Sequence, residues 1–436
     1  MGHPVVVALW TTSGPARRGA RFYSAIKMGL ALLPSCMTGP EQSRMASAPA
    51  RQRPIAPTRQ RPIAPTLGRV YCSHEIHPDR SITFRLDAPH AHAVNLVTDI
   101  TPDVLPLTKE ADGLWTVTTA PLSPAMYAYA FSVDGVDQPD PRNSWVKTNL
   151  VSNASLVLMP GVLVSGARTM PWEPAAVPHG TVHNHVYTTA AVEGLPANQS
   201  RYVVYTPPDY DSPGYDRDAE RRYPVLYLLH GWSDAETSWT QIGQAHHILD
   251  ALIAAGEAKP MVVVMPLGYG QMSFVESGVG VLNDPAAVLA NAVHFERALL
   301  DEILTQVESS YHVRRDRDGR AIAGQSMGGL ESLPIGLNHA EMFAWIGGFS
   351  SAVSVLDSPR APELLRGLSS SAVMPKLVWL TCGLEDPFLA ANRRVIAWLK
   401  EQGVSITAGE SAGGHTWPVW REDLARFVPL LFGATG

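Results

Sequence analysis

Gly324-Gln325-Ser326-Met327-Gly328-Gly329 fits the pattern G-x-S-x-G, in which a serine hydroxyl is presented at a sharp strand-to-helix turn. Small neighbours are needed because the turn is tight, and the helix that follows directs its positive end at the same space. A serine is a weak nucleophile at neutral pH and needs a base, which in turn needs an orienting acid. In chain order the acid and then the histidine should follow the serine. Only His339 and His415 lie beyond Ser326. His339 falls about three and a half turns along the helix after the serine and cannot reach back to the hydroxyl. His415, in Ser411-Ala412-Gly413-Gly414-His415, lies in a glycine-rich turn and is the expected base. The apolar run Leu377–Cys382 leads into Gly383-Leu384-Glu385-Asp386; Asp386 is the expected orienter and Glu385 the alternative, a choice that rests on loop geometry. The chemistry of such a set is nucleophilic attack on an acyl carbon.

These residues need a scaffold of strands that end in loops. Val225–Leu229, Met261–Met265, Arg320–Ala323 and Leu377–Cys382 are almost wholly apolar, and helical stretches separate them. One helix is expected at His294–Tyr311, with Phe295, Leu299, Ile303, Val307 and Tyr311 on one stripe, and another at Asn392–Gln402. Continuous apolar strands alternating with helices indicate an α/β fold with a parallel sheet covered on both faces. The glycine-rich Gly268–Gly280 stretch reads as a mobile loop beside the site; no lysine follows it, which argues against a phosphate loop.

Ahead of this lies a different periodicity. Ile82–Leu86, Ala93–Val97, Trp115–Thr118 and Tyr127–Val133 alternate apolar and polar residues, with turn signals at Asp112-Gly113, Ser123-Pro124 and Asp134-Gly135. Short strands at this spacing predict a small all-β sandwich. The expected organisation is a basic, proline-rich tail over 1–66, a sandwich over 67–163, a linker over 164–180 and an α/β-hydrolase region over 181–436. The tail holds the octapeptide RQRPIAPT twice, at Arg51–Thr58 and Arg59–Thr66, a composition that reads as an extended spacer.

With 436 residues, a net charge of −6 and 17% charged residues, the composition is that of an ordinary globular chain. The tail has nine Lys/Arg against Glu41 alone, which leaves about −14 on the remainder and gives no support to nucleic-acid binding there. Cys36, Cys72 and Cys382 are too few and too scattered for a disulfide framework or metal cluster. Basic residues, Met28–Leu33 and then Pro34-Ser35-Cys36 follow the order of a lipoprotein signal, although the apolar run is shorter than the usual 7 or more, about. Export to the periplasm or beyond is the expected location, with the cytoplasm as the alternative.

Five segments together resemble one family: YPVLYLLHGW (Tyr223–Trp232), HHILDALIAAGEAKPMVVVMP (His246–Pro266), AIAGQSMGG (Ala321–Gly329), CGLEDPF (Cys382–Phe388) and GGHTWPVW (Gly413–Trp420). In this order they are similar to the esterase-D-type enzymes, above all the feruloyl and acetyl-xylan esterases of carbohydrate esterase family 1. The front segments ITFRLDAP, DGLWTV, YAYAFSVDG and DPRN resemble the early-set, Ig-like sandwich of carbohydrate-binding module family 48. There Trp115 could stack on a sugar or sit in the core. The resemblance implies a serine esterase with Ser326, Asp386 and His415 as triad and an oxyanion hole from the backbone N–H groups of Met327 and Trp232. It also implies ester-substituted oligo- or polysaccharide substrates, with no metal and no organic cofactor. Relatives often carry a smaller aliphatic residue at the position of Trp232, so the width of the acyl pocket is a point of departure. Trp239, Trp417 and Trp420 fall near the motif loops and could flank an aromatic acyl group, or could belong to the core. Enterochelin-type siderophore esterases, formylglutathione hydrolases and mycolyltransferases share this fold and triad. A non-catalytic carbohydrate-binding protein and a scaffold with a partner-docking proline-rich tail are the alternatives from other classes.

Overall fold

The computed structural model describes residues 70–101, 103–161, 170–210, 222–352, 364–365 and 373–433. The tail repeat and the signal-like segment lie outside these residues, as does part of the expected linker. The described residues from 71 onward form one compact unit.

The front region holds two antiparallel sheets. One contains His74–Ile76, Ile82–Asp87, Leu114–Thr118 and Thr108–Lys109; the other is centred on Ala125–Val133, flanked by Val94–Thr98 and Ala154–Met159. Alternate residues of the strands meet in a core of Ile82, Phe84, Leu96, Tyr129 and Phe131. Trp115 belongs to that core: it is buried, and its indole N–H donates to the Ala88 carbonyl at 2.9 Å. Its ring is therefore spent on packing rather than displayed to a sugar.

The second region is built on one eight-stranded sheet. Its strands are β1 (Thr181–Thr188), β2 (Gln199–Thr206), β3 (Val225–Leu229), β4 (Val262–Pro266), β5 (Arg320–Gln325), β6 (Trp345–Phe349), β7 (Leu377–Gly383) and β8 (Thr407–Ser411). Their order across the sheet is β1-β2-β4-β3-β5-β6-β7-β8. β2 runs antiparallel to β1 and β4, and from β4 to β8 every pairing is parallel. This is the α/β-hydrolase-type architecture. β3, β4, β5 and β6 are buried at every position, as expected of strands covered on both faces.

Five helices matter for the site and its supports: α1 (Ala245–Ala254), α2 (Pro285–Arg297), α3 (Met327–Asn338), α4 (Leu389–Glu401) and α5 (Trp417–Phe427). The helix expected at His294 starts nine residues earlier, because Asp284 accepts from the Ala286 and Ala287 amides and Pro285 occupies the first turn. It continues through a π-turn at Ala298–Ile303 to Ser310, with Phe295, Leu299, Ile303 and Val307 buried along the predicted stripe.

The two regions share a core. Met126 and Leu156 of the front sheets cluster with Trp239, Phe349, Trp417 and Phe427. The wholly buried Arg421 of α5 bridges them, donating to the Ile242 carbonyl at 3.0 Å and the Met126 carbonyl at 3.2 Å.

Candidate active site

β5 delivers the chain into Ser326 at φ 54°, ψ −115°, a conformation that an L-residue adopts only under constraint, at a cost of about 1–3 kcal/mol. Two backbone hydrogen bonds impose it: the Ser326 amide donates to Phe349 and the Ala352 amide donates to the Ser326 carbonyl, both at 2.9 Å. A side chain at position 328 would put a Cβ 2.6 Å from the Leu229 carbonyl oxygen, so only glycine lets α3 start this close to β3. Met327 is the first residue of α3, and its N–H therefore has no acceptor one turn earlier.

The other two members converge from separate strands. His415 Nε2 lies 2.8 Å from Ser326 Oγ, and His415 Nδ1 lies 2.9 Å from Asp386 Oδ2. Asp386 follows β7, and its side chain is wholly buried. Its other oxygen accepts from the Phe388 amide at 2.8 Å, so the carboxylate is held at both ends. The imidazole is clamped between Phe388 and Trp420, with ring centroids at 5.1 and 4.9 Å. Glu385 points elsewhere: its carboxylate accepts from the Gly413 amide and braces the turn that carries His415. His339 is paired with Glu296 at 2.7 Å, an ion pair that raises its pKa.

Leu229, the last residue of β3, is in register with Gly324 of β5. The turn His230-Gly231-Trp232 therefore leaves the sheet beside the serine turn. His230 is buried, and burial lowers its pKa to about 4. As a neutral ring it donates from Nδ1 to the Gly231 carbonyl at 2.8 Å and accepts at Nε2 from the Gly268 amide at 2.8 Å. The half-buried Trp232 swings its indole away, with Nε1 donating to the Phe274 carbonyl at 3.2 Å. The glycine-rich segment read as a mobile loop is thus tied down. It contains the helical turn Ser273–Glu276, and Asn291 Oδ1 accepts from the Gly270 and Gln271 amides at 3.0 and 3.2 Å.

The three tryptophans proposed as substrate contacts are core residues. Trp239 is 1% exposed, donates to the Leu229 carbonyl at 2.9 Å and meets Trp417 edge-on at 5.0 Å. Trp417 and Trp420 are buried in the same cluster. The Trp420 ring touches His415, whereas Trp239 and Trp417 pack against each other within the core.

Sequence reasoning missed a polar chain that begins in the front region. Asn149 Nδ2 donates to Ser233 Oγ at 2.9 Å and lies 3.3 Å from Asp234 Oδ1, and the Leu150 amide donates to the Ser233 carbonyl at 2.8 Å. Asp234 Oδ2 then accepts from Gln325 Nε2 at 3.1 Å, one residue before the serine. Burial raises the Asp234 pKa. Ser233 sits at φ 70°, directly after Trp232, so a loop of the front region holds the strained turn that would supply the second oxyanion donor. Asn149 lies between two strand patterns and carries no motif; nothing in the sequence singles it out.

A serine hydroxyl hydrogen-bonded to an imidazole that is itself held by a buried carboxylate can deliver an alkoxide-like nucleophile at neutral pH. The comparisons agree with that chemistry. A family model described as "Putative esterase" matches residues 197–431. The chain belongs to this esterase family. Among curated relatives, the esterase is 28% identical over 354 residues to an endo-1,4-beta-xylanase/feruloyl esterase of Xylanibacter ruminicola, covering 80% of this chain and 44% of that one. The chain thus spans less than half the length of that relative. An acetyl esterase of Caldicellulosiruptor saccharolyticus is 24% identical over 257 residues, 51% of this chain and 89% of the relative. Among solved structures, enterobactin esterase FES of Shigella flexneri aligns with a TM-score of 0.57 at 20% identity, over 81% of this chain and 93% of that one. A ferulic acid esterase of Anaeromyces mucronatus aligns at 0.52 with 22% identity, over 61% and 95%. At such identities these structures speak for the shared fold.

Among the described residues, no helix is long and apolar enough to cross a membrane. The one group of His and carboxylate side chains there that is close enough to share an ion lies away from Ser326, at the start of β1 and on α1.

Proposed function

We propose that this esterase is a serine carboxylic-ester hydrolase that removes feruloyl or acetyl groups from plant cell-wall polysaccharide. The observation that carries the reading is the continuous hydrogen-bonded chain Asp386–His415–Ser326 at a strained turn between β5 and α3.

In this reading Ser326 Oγ attacks the ester carbonyl carbon while His415 Nε2 takes the hydroxyl proton. Asp386 stabilises the imidazolium and keeps Nδ1 protonated. The tetrahedral oxyanion is bound by the Met327 and Trp232 amides, each worth on the order of 10²–10³ in rate. Collapse breaks the C–O bond to the sugar, and His415 returns the proton to the departing sugar oxygen. Water, deprotonated by the same imidazole, then hydrolyses the acyl-enzyme and restores Ser326.

The front β region has a part in this reading. Its Asn149 loop braces the Trp232-Ser233 turn, and Leu150 and Val151 of that loop are exposed beside it. Apolar surface at that place suits an aromatic or alkyl acyl group. The relative named a xylanase/feruloyl esterase and the relative named an acetyl esterase support the acyl class and the polysaccharide leaving group. A second reading, a siderophore esterase, is compatible with the same fold, which enterobactin esterase FES shares over 81% of the chain. Hydrolysis of methyl ferulate, acetylated xylan, a cyclic siderophore lactone and formylglutathione by the full chain decides between them. Ser326→Ala abolishes whichever activity is found, and preference for the lactone by kcat/KM would overturn the cell-wall assignment.

A further inference from the structure

We propose that His179, His247 and Asp250 form a binding site for a divalent transition-metal ion of the zinc class, which clips the start of β1 to α1. One ligand atom from each of the three residues lies within 4.8 Å of the other two. His247 and Asp250 sit three residues apart on α1 and therefore share a face of that helix. His179 comes from the chain just ahead of β1 and lays Nδ1 2.8 Å from Asp250 Oδ2.

The carboxylate is oriented in the way a metal ligand is. Asp250 is buried, and its Oδ1 accepts from the Gly180 amide at 2.9 Å and from the Tyr205 hydroxyl at 2.7 Å. Those two donors leave Oδ2 facing the histidines, the outer-shell arrangement that sets ligand direction. His247 Nδ1 is shielded from solvent and has no hydrogen-bond partner. Two imidazoles and one carboxylate suit Zn²⁺, Co²⁺ or Ni²⁺ and leave a fourth position for water. The His179 side chain is 49% exposed, so an ion reaches the group from solvent.

The place in the fold separates this site from the chemistry. Thr181 pairs with Thr206 and Tyr205 with Val263, so the group stands where β4 begins. The loops bearing Ser326, Asp386 and Trp232 follow the opposite ends of their parallel strands. An ion here joins residues 71 apart in the chain and acts on stability, leaving acyl transfer untouched.

The test uses the full chain after EDTA treatment and dialysis, titrated with Zn²⁺ by calorimetry. The expected result is one Zn²⁺ per chain, an affinity at least about 100-fold weaker in His247→Ala, and about 10-fold weaker in Tyr205→Phe, which removes only the support of the carboxylate. Co²⁺ should show a visible absorption band that His179→Ala abolishes; this half-exposed residue is replaceable without threat to folding. Excess Zn²⁺ should raise the Tm of the parent and leave that of His179→Ala unmoved, with small-ester kcat the same in both. A stoichiometry well below one, or equal Zn²⁺ affinity in the parent and a His179→Ala/His247→Ala double variant, would overturn the site and leave an ordinary His–Asp hydrogen bond.

Discussion

Replacing Asp386 by asparagine tests the triad at the point where the structure is most explicit. The carboxylate makes two contacts that both demand an acceptor: Oδ1 accepts from the Phe388 amide at 2.8 Å, and Oδ2 accepts from His415 Nδ1 at 2.9 Å. An amide NH₂ cannot accept from the Phe388 N–H, so the asparagine oxygen must take that position and the NH₂ must face His415. Nδ1 then becomes the acceptor and the ring proton moves to Nε2, 2.8 Å from Ser326 Oγ, where a lone pair is needed. The base is present in the wrong tautomer. Loss of about 10⁴ in kcat is expected, equivalent to about 5.4 kcal/mol of transition-state stabilisation. Glu385→Gln is the control. Its oxygen can still accept from the Gly413 amide, so only charge assistance is lost, about 1 kcal/mol and less than tenfold in rate. Steady-state hydrolysis of 4-nitrophenyl acetate by both variants, with thermal melts to confirm folding, gives the answer. An Asp386→Asn enzyme within about tenfold of the parent, or a reversed ranking of the two variants, would refute the assignment.

Ser326→Ala should abolish ester hydrolysis while the Tm stays close to that of the parent; turnover near the parental rate would remove the nucleophile from the proposal. Asn149→Ala breaks the bonds to Ser233 and Asp234 and should lower kcat/KM on a small soluble ester about tenfold, a loss of about 1.4 kcal/mol, though no catalytic group is touched. If only polymeric substrates suffer, the loop serves binding rather than the oxyanion turn. The buried carboxyl of Asp423 on α5 is pushed up from 3.8 to about 7, mainly by burial. The unfolded chain releases this proton near its ordinary value and the folded chain only near 7, so folding stability falls as pH rises between 3.8 and about 7. Asp423→Asn should therefore be the more stable protein at pH 8, by at most about 4 kcal/mol, with the advantage vanishing toward pH 4; denaturant melts at both values check the sign.

What the sequence determined by itself was local. The turn at Ser326 is written in consecutive residues, because a strand, a tight turn and a helix each leave a short-range pattern of apolar residues and glycines. The buried strands β3, β4 and β7 and the histidine turn were legible for the same reason. β6 was not: Trp345-Ile346-Gly347-Gly348-Phe349 has Ile346 as its single β-branched residue and two glycines at its centre, which weaken the pattern of a typical strand. Its glycines answer to a tertiary demand, since a Cβ at Gly347 would lie 2.7 Å from the Phe427 ring. β1 was missed for the opposite reason. It is an edge strand in which Thr181, Asn184, Val186 and Thr188 are exposed, and it carries little apolar signal.

The tertiary structure alone decided between neighbours in sequence. Glu385 and Asp386 are adjacent acids, and only the path of the chain after β7 sends one to His415 and the other to Gly413. Trp239 and Trp417 were placed near the site by their distance along the chain from its motifs, but which way each ring turns depends on the core it fills. Asn149 meets Ser233 across 84 residues, through packing of the front sheets on α5 and its neighbours. Contacts of that kind arise from the burial of surfaces that are far apart in the chain, and no local pattern records them.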